Sequence, residues 1–168
     1  MKGNNSLFSV GIITVSDKGA AGEREDLSGP EIKKIITTLP AEVKLYEIVP
    51  DNKETISHKI KELVDDKELD IIITTGGTGV SPRDVTPEAT REVIEKEIPG
   101  MAEVMRRESL KKTPHAMISR AVVGIRHHSL IVNLPGSPKA VRENLSAILP
   151  ALPHTLSKLK GDETECAT

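Results

Sequence analysis

The stretch "DIIITTGGTGVSPRDVTPEAT", residues 70–90, decides how the chain is folded. An aliphatic run stops at Gly76, Gly77 and Gly79. Two prolines, Pro82 and Pro87, follow, and the pattern then turns helical. A short apolar run bounded by turn residues reads as a strand buried on both faces. Thr86 as a cap, Pro87 in the first turn and Glu88 near the positive end of the helix dipole predict where the helix begins. Strand, glycine loop and helix in succession make one unit of an open, mostly parallel sheet.

The same alternation continues on both sides. Toward the N-terminus, "FSVGIIT" (residues 8–14) reads as a strand that runs into the polar loop "VSDKGAAGERED". Asp26 or Ser28 can cap the next helix, which carries Ile32, Ile35, Ile36 and Leu39 on one face. "AEVKLYEIV" is a second strand, ending at Pro50-Asp51. Asp51 or Asn52 would cap a helix reaching Asp66, with Ile56, Ile60, Leu63 and Val64 inward. The third strand covers residues 69–74.

Toward the C-terminus, "TPEATREVIEKE" predicts a helix broken by Pro99-Gly100, and "MAEVMRRESLKK" predicts another. Two apolar runs, residues 121–125 and 130–134, are joined by Arg126, His127, His128 and Ser129, which predicts a hairpin. A long final helix should bend at Pro150 and Pro153. The expected architecture is a three-layer α/β/α sandwich. Its mixed sheet is mostly parallel, with an antiparallel element late in the chain. Residues 1–161 read as a single domain and residues 162–168 as a disordered tail.

Composition narrows the function classes. With Phe8 and Tyr46 the only aromatic residues, the core must be aliphatic, and a flat ligand ring would find few stacking partners. A formal net charge of -2 argues against a nucleic-acid partner. The single cysteine, Cys166, excludes an intrachain disulfide. No segment reads as a signal peptide or a membrane span, so a cytoplasmic location is expected.

Ligands of open parallel sheets bind beyond the C-terminal ends of the strands. That edge collects Ser16, Asp17, Asp51, Thr78, Ser81, Arg83, Asp84, Asn133 and Ser137. Gly76, Gly77 and Gly79 would let backbone N–H groups approach an anion, with hydroxyls from Thr75, Thr78 and Ser81. The loop matches neither G-x-x-x-x-G-K-[ST] nor G-x-G-x-x-G, and the lysine of the usual phosphate loop is absent. A carboxylate, Asp84, stands where that positive charge is missing. Two carboxylates flanking a phosphate site, Asp51 and Asp84, suit Mg²⁺ between them; alternatively both are turn or cap residues. "NLPGSPKAV" is a second anion candidate, with Gly136, Ser137 and Lys139 at a helix start. In "MRRESLKK", Arg106 or Arg107 could reach a phosphate, or the run is a solvated face. His127 and His128 lack partners for a metal site.

"TTGGTG", "RDVTPEAT", "PGMAE", "ISR" and "NLPGSPK", in this order and spacing, resemble the MogA/MoaB family of molybdenum cofactor biosynthesis proteins. The resemblance spans residues 8–161 and implies an α/β/α sandwich with a mixed sheet. It further implies a molybdopterin adenylyltransferase, which transfers AMP from Mg-ATP to the terminal phosphate of molybdopterin and releases pyrophosphate. The family's two catalytic aspartates fall on Asp51 and Asp84, which would hold Mg²⁺. Thr75, Gly76, Gly77, Thr78, Gly79, Ser81 and Arg83 would bind the nucleotide phosphates. Ser16, Asp17, Ser119, Arg120, Asn133, Pro135, Gly136 and Ser137 would line the molybdopterin side. A homotrimer, or a hexamer of two trimers, and delivery of the product to a molybdenum insertase are implied as well. The alternative within the family is a non-catalytic MoaB-like carrier of molybdopterin.

Overall fold

The structure, a computed structural model, describes residues 7–163. Its strands are β1 (Phe8–Val15), β2 (Ala41–Val49), β3 (Ile71–Thr75), β4 (Lys96–Glu97), β5 (Val123–Arg126) and β6 (Ser129–Leu134). They form one six-stranded sheet in the order β2-β1-β3-β6-β5-β4. The first four of that order run parallel, and β5 and β4 are antiparallel additions at one edge.

Successive side chains of a strand point to opposite faces. Val10, Ile12, Ile71, Ile73, Leu130 and Val132 therefore enter one core, while Ile13, Val15, Ile72 and Ile131 enter a second. Both faces are covered, which is why the central strands lack polar alternation. The register sets Ile12 beside Ile73 and Ile73 beside Val132, all fully buried. Each such side chain stabilises the fold by about 1.5–3 kcal/mol.

The helices are α1 (Asp17–Ala20), α2 (Ser28–Ile36), α3 (Lys53–Lys61), α4 (Thr86–Val93), α5 (Pro99–Leu110), α6 (Pro138–Ile148) and α7 (Leu152–Leu159). Ile32, Ile36, Met105, Val141, Leu145 and Leu156 bring α2, α5, α6 and α7 onto the first face. Ile56, Ile60, Ala89 and Val93 bring α3 and α4 onto the second. The expected three layers and the late hairpin are present. The final helix is broken where its prolines fall, by a 3-10 turn over Leu149–Ala151.

One local expectation needs correction, and two elements add local detail. The helix α4 stops at Val93 and does not reach Pro99, because Ile94 turns extended. Glu95 N and Ile98 N then donate to Ile125 O and Val123 O, both at 2.7 Å. The open edge of β5 thus recruits the next residues as β4, and Pro99 opens α5 instead of ending a helix. The helix after Asn52 turns π-helical over Glu62–Asp66. At the far end, Asp162 N donates to Ser157 O at 3.1 Å, so the C-terminus of α7 is closed one residue beyond the expected boundary. The remainder of the expected disordered tail, residues 164–168, lies outside the described residues. Among the described residues, no helix is long and apolar enough to cross a membrane.

Candidate active site

The four parallel strands deliver Ser16, Asp51, the loop Gly76 to Gly79 and the turn Pro135 to Ser137 to one edge of the sheet. Hydrogen bonds tie these pieces together. Gly76 N donates to Leu134 O at 3.1 Å, and Thr75 Oγ1 to Pro135 O at 2.7 Å. Gly76 and Gly77 have φ of +100° and +66°. A side chain is strained there by its backbone alone. Space forbids it too: a Cβ on Gly76 would collide with the Val15 carbonyl oxygen, and one on Gly77 with Thr86 Oγ1. Thr86 is not the helix cap the sequence suggests. Its Oγ1 donates to Gly76 O at 2.9 Å and its N–H to Gly77 O at 3.1 Å, which fastens α4 to the loop.

Two aspartates clasp each other across the rim. Asp17 N donates to Asp51 Oδ2, and Asp51 N to Asp17 Oδ1, each at 2.9 Å. Arg83 closes on the same Asp17 carboxylate, with Nε at 3.0 Å and Nη2 at 2.5 Å from Oδ2. The Arg83 hydrogen bond, helped by the Asp51 N–H, holds the Asp17 carboxyl below its ordinary range. Burial, and then the negative charges of Asp17 and Asp84, push Asp51 the other way. Asp84 Oδ2 accepts from Ser81 N at 2.9 Å. On both Asp51 and Asp84 one oxygen is thus held by a backbone N–H, and Oδ1 accepts no hydrogen bond from the described residues.

Two hard oxygens with unmet negative charge fit a divalent cation. No group of three or more His, Cys, Asp or Glu among the described residues forms a protein cage for a metal. Mg²⁺ is a cation commonly held by one or two carboxylates with phosphate and water completing the shell.

The glycine loop is a wall between two cavities. On one side a cleft of about 700 Å³ is lined by Ser16, Asp51, Gly76, Gly77, Gly136 and Ser137. On the other a largely apolar pocket of about 250 Å³ is lined by Thr78, Gly79, Ile118, Ser119, Pro135 and Asn144. The residues expected to bind nucleotide therefore divide: Gly76 and Gly77 face the cleft, Thr78 and Gly79 the pocket. The residues expected to bind molybdopterin divide as well. Ser119 and Pro135 line the pocket, whereas Ser16, Gly136 and Ser137 line the cleft, the two serines capping α1 and α6.

Several expected ligand contacts are occupied inside the fold. Asn133 is fully buried; its Nδ2 donates to Thr74 Oγ1 and Thr90 Oγ1, both at 2.9 Å, and its Oδ1 accepts from Val122 N at 3.2 Å. It braces β6 and does not line a cavity. Thr75 is also fully buried, its hydroxyl held by Pro135 O. Arg120 turns its guanidinium onto Gly79 O, Asp84 O and Glu88. Arg106 lines the pocket, and its Nη1 donates to Ala121 O at 3.1 Å. Lys139 leaves the Gly136 turn and joins Arg107, Lys111, Lys112 and Arg142 in a separate groove between α5 and α6.

A further polar centre, Asp26, was legible in the sequence only as a cap. It accepts from Ser28 N at 2.9 Å and Thr14 Oγ1 at 2.7 Å, and from the Tyr46 hydroxyl. Burial and the Asp26 carboxylate push the Tyr46 hydroxyl up to about 12. Ser28 Oγ then donates to Gly136 O at 2.7 Å, so this centre sets the start of α2 against the cleft turn.

Residues 11–154 match the family model described as "Probable molybdopterin binding domain". The chain belongs to this family. A member from Helicobacter pylori (strain J99), named molybdopterin adenylyltransferase, is 43% identical over 91% of this chain and 88% of that one. The Escherichia coli K12 protein of the same name is 36% identical over 96% and 90%. Among solved structures, the "Molybdopterin biosynthesis enzyme MoaB" of Thermus thermophilus superposes with a TM-score of 0.88 at 52% identity, covering 93% of this chain and 98% of that one. The likeness to this solved structure agrees with the α/β/α architecture.

Proposed function

We propose that the protein is a molybdopterin adenylyltransferase, a nucleotidyltransferase that moves AMP from ATP to the terminal phosphate of molybdopterin and releases pyrophosphate. The observation that carries this assignment is the glycine loop, which separates a polar cleft from an apolar pocket and has Asp51 and Asp84 beside it. The cleft has room and polar donors for a nucleotide, and the pocket suits a pterin. The family and its adenylyltransferase members support the same activity.

Two anions must meet for this reaction, so charge has to be offset before proximity can act. Asp51 and Asp84 would hold Mg²⁺, which when bound offsets charge on the nucleotide phosphates and the leaving pyrophosphate. Gly77 lines the cleft with an N–H that no acceptor among the described residues takes up, so it can orient a phosphate oxygen, whereas the Gly76 N–H is held by Leu134 O. Ser16 and Ser137 start helices there and add positive dipole ends to the same wall. Arg83, paired with Asp17, stands beside Asp51 and can supply a further cation to the leaving group. On the far side, Ser119, Pro135 and Thr78 would seat the acceptor with its phosphate toward the loop. No protein nucleophile is required, because the acceptor phosphate attacks the α-phosphorus directly.

The catalytic unit proposed is a single domain over residues 1–161, acting in the cytoplasm as a trimer or a hexamer of two trimers and passing its product to a molybdenum insertase. These points rest on the family resemblance. Asp51→Ala and Asp84→Ala should each abolish molybdopterin-dependent pyrophosphate release from Mg-ATP, with molybdopterin still bound. Pterin binding without pyrophosphate release by the unaltered protein would instead identify a MoaB-like carrier.

A further inference from the structure

Carbonyl groups of a glycine loop have no strand partners and must be satisfied elsewhere. Here three of them converge on one residue. Arg120 N donates to Thr78 O at 2.9 Å. Its Nε donates to Gly79 O at 2.7 Å and its Nη2 to Asp84 O at 2.8 Å. The Nη1 edge pairs with the Glu88 carboxylate in the first turn of α4. The segment bearing Arg120 is itself anchored, because Arg106 of α5 donates to Ser119 O at 3.4 Å and Ala121 O at 3.1 Å. A planar guanidinium has donors in fixed directions and can bridge carbonyls and a carboxylate at once. A lysine ammonium is a single point and cannot reproduce that span.

We propose that Arg120 is a positioning residue for the adenylyl transfer, clamping the Thr78–Gly79 wall and Asp84 into one frame. The clamp fixes the Thr78–Gly79 wall of the acceptor pocket relative to the Asp84 carboxylate, and it rests on the adenylyltransferase reading given above. Without Arg120 the loop between β3 and α4 keeps its glycine end and its Thr86 anchor, but the stretch carrying Asp84 is released. Substrates still bind, and the alignment that chemistry needs is lost.

The test uses the full chain with Arg120→Lys, Arg120→Ala and Glu88→Gln. The first readout is amide hydrogen exchange of residues 78–85 in ligand-free protein, which does not depend on activity. Arg120→Lys should raise exchange there about tenfold while the central strands keep their protection. The second readout is pyrophosphate release: kcat should fall about tenfold or more, with KM for ATP changed by less than about threefold. Added guanidinium should restore part of the activity of Arg120→Ala. Unchanged exchange at residues 78–85 in folded Arg120→Lys overturns the proposal. So does a rise in KM for molybdopterin at constant kcat, which would put Arg120 on the substrate. Should both Arg120 variants fail to fold, Glu88→Gln loosens the same clamp from its other end, and unchanged exchange and kcat there overturn it. If the unaltered protein releases no pyrophosphate, the functional reading fails, and the exchange measurement still decides whether Arg120 clamps the loop.

Discussion

Replacing Asn133 by leucine should weaken the fold without altering the ligand sites. The side chain is fully buried between β3, α4 and the Val122 backbone just before β5, and the two residues are close in size, so the change leaves little cavity. What it removes is three hydrogen bonds. The Val122 N–H loses the Oδ1 acceptor and is left in a buried setting, which costs about 1–3 kcal/mol. The two bonds to Thr74 and Thr90 contribute about 1 kcal/mol each, although a threonine hydroxyl can turn toward another acceptor. The expected loss is about 3–5 kcal/mol, which for a domain of this size lowers the melting temperature by roughly 10 °C. Urea and thermal unfolding measure it directly, alongside molybdopterin binding well below the transition. A variant as stable as the unaltered protein that binds molybdopterin more weakly would refute the reasoning and return Asn133 to the ligand.

Gly76→Ala should destabilise by more than about 1–2 kcal/mol, from positive φ alone, and should lose pyrophosphate release as the loop moves off Val15 O; unfolding curves and the release assay check both. Asp51→Asn removes a carboxylate disfavoured by burial and by its acidic neighbours, so it should raise stability at neutral pH by less than about 1 kcal/mol while activity disappears. The pH dependence follows in sign. Because the folded Asp51 carboxyl lies above the ordinary 3.8, the folded state takes up the proton first, and stability rises as pH falls through that raised value. The advantage of Asp51→Asn should therefore shrink between neutral pH and about 4 in melting temperatures. Asp17 acts in the opposite sense at lower pH: its contribution, present above 3.8, is lost as pH falls through its depressed value.

The layers of the fold could be read from the chain because each is written in hydrophobic period. Ile71 to Ile73 have no polar alternation since both faces are covered, and Ile56 and Ile60 mark one face of a helix. The two-residue turn at His127 and His128 was legible for the same reason. What escaped was decided by tertiary partners. Nothing local distinguishes the Val93-Ile94 stretch from more helix until the free edge of β5 stands beside it. Asn133 and Arg120 look like ligand residues because they are polar and sit in the right motifs; only the positions of Thr90, Val122, Gly79 and Glu88 show that their hydrogen bonds are already made. Asp26 looks only like a cap in the sequence because its partners Thr14 and Tyr46 come from β1 and β2.

The shared glycine wall has a consequence for how this site can change. Residues 76–79 form a wall between the two cavities, so under the proposed function a change of this loop made for a different nucleotide would disturb the pterin side with it. The outer walls carry no such linkage. Arg24, Glu25 and Leu27 border the cleft alone, while His115, Ala116 and Ile118 border the pocket alone. A redesign for another nucleotide, or another pterin, should leave the partition untouched and vary only the far bank of the cavity concerned.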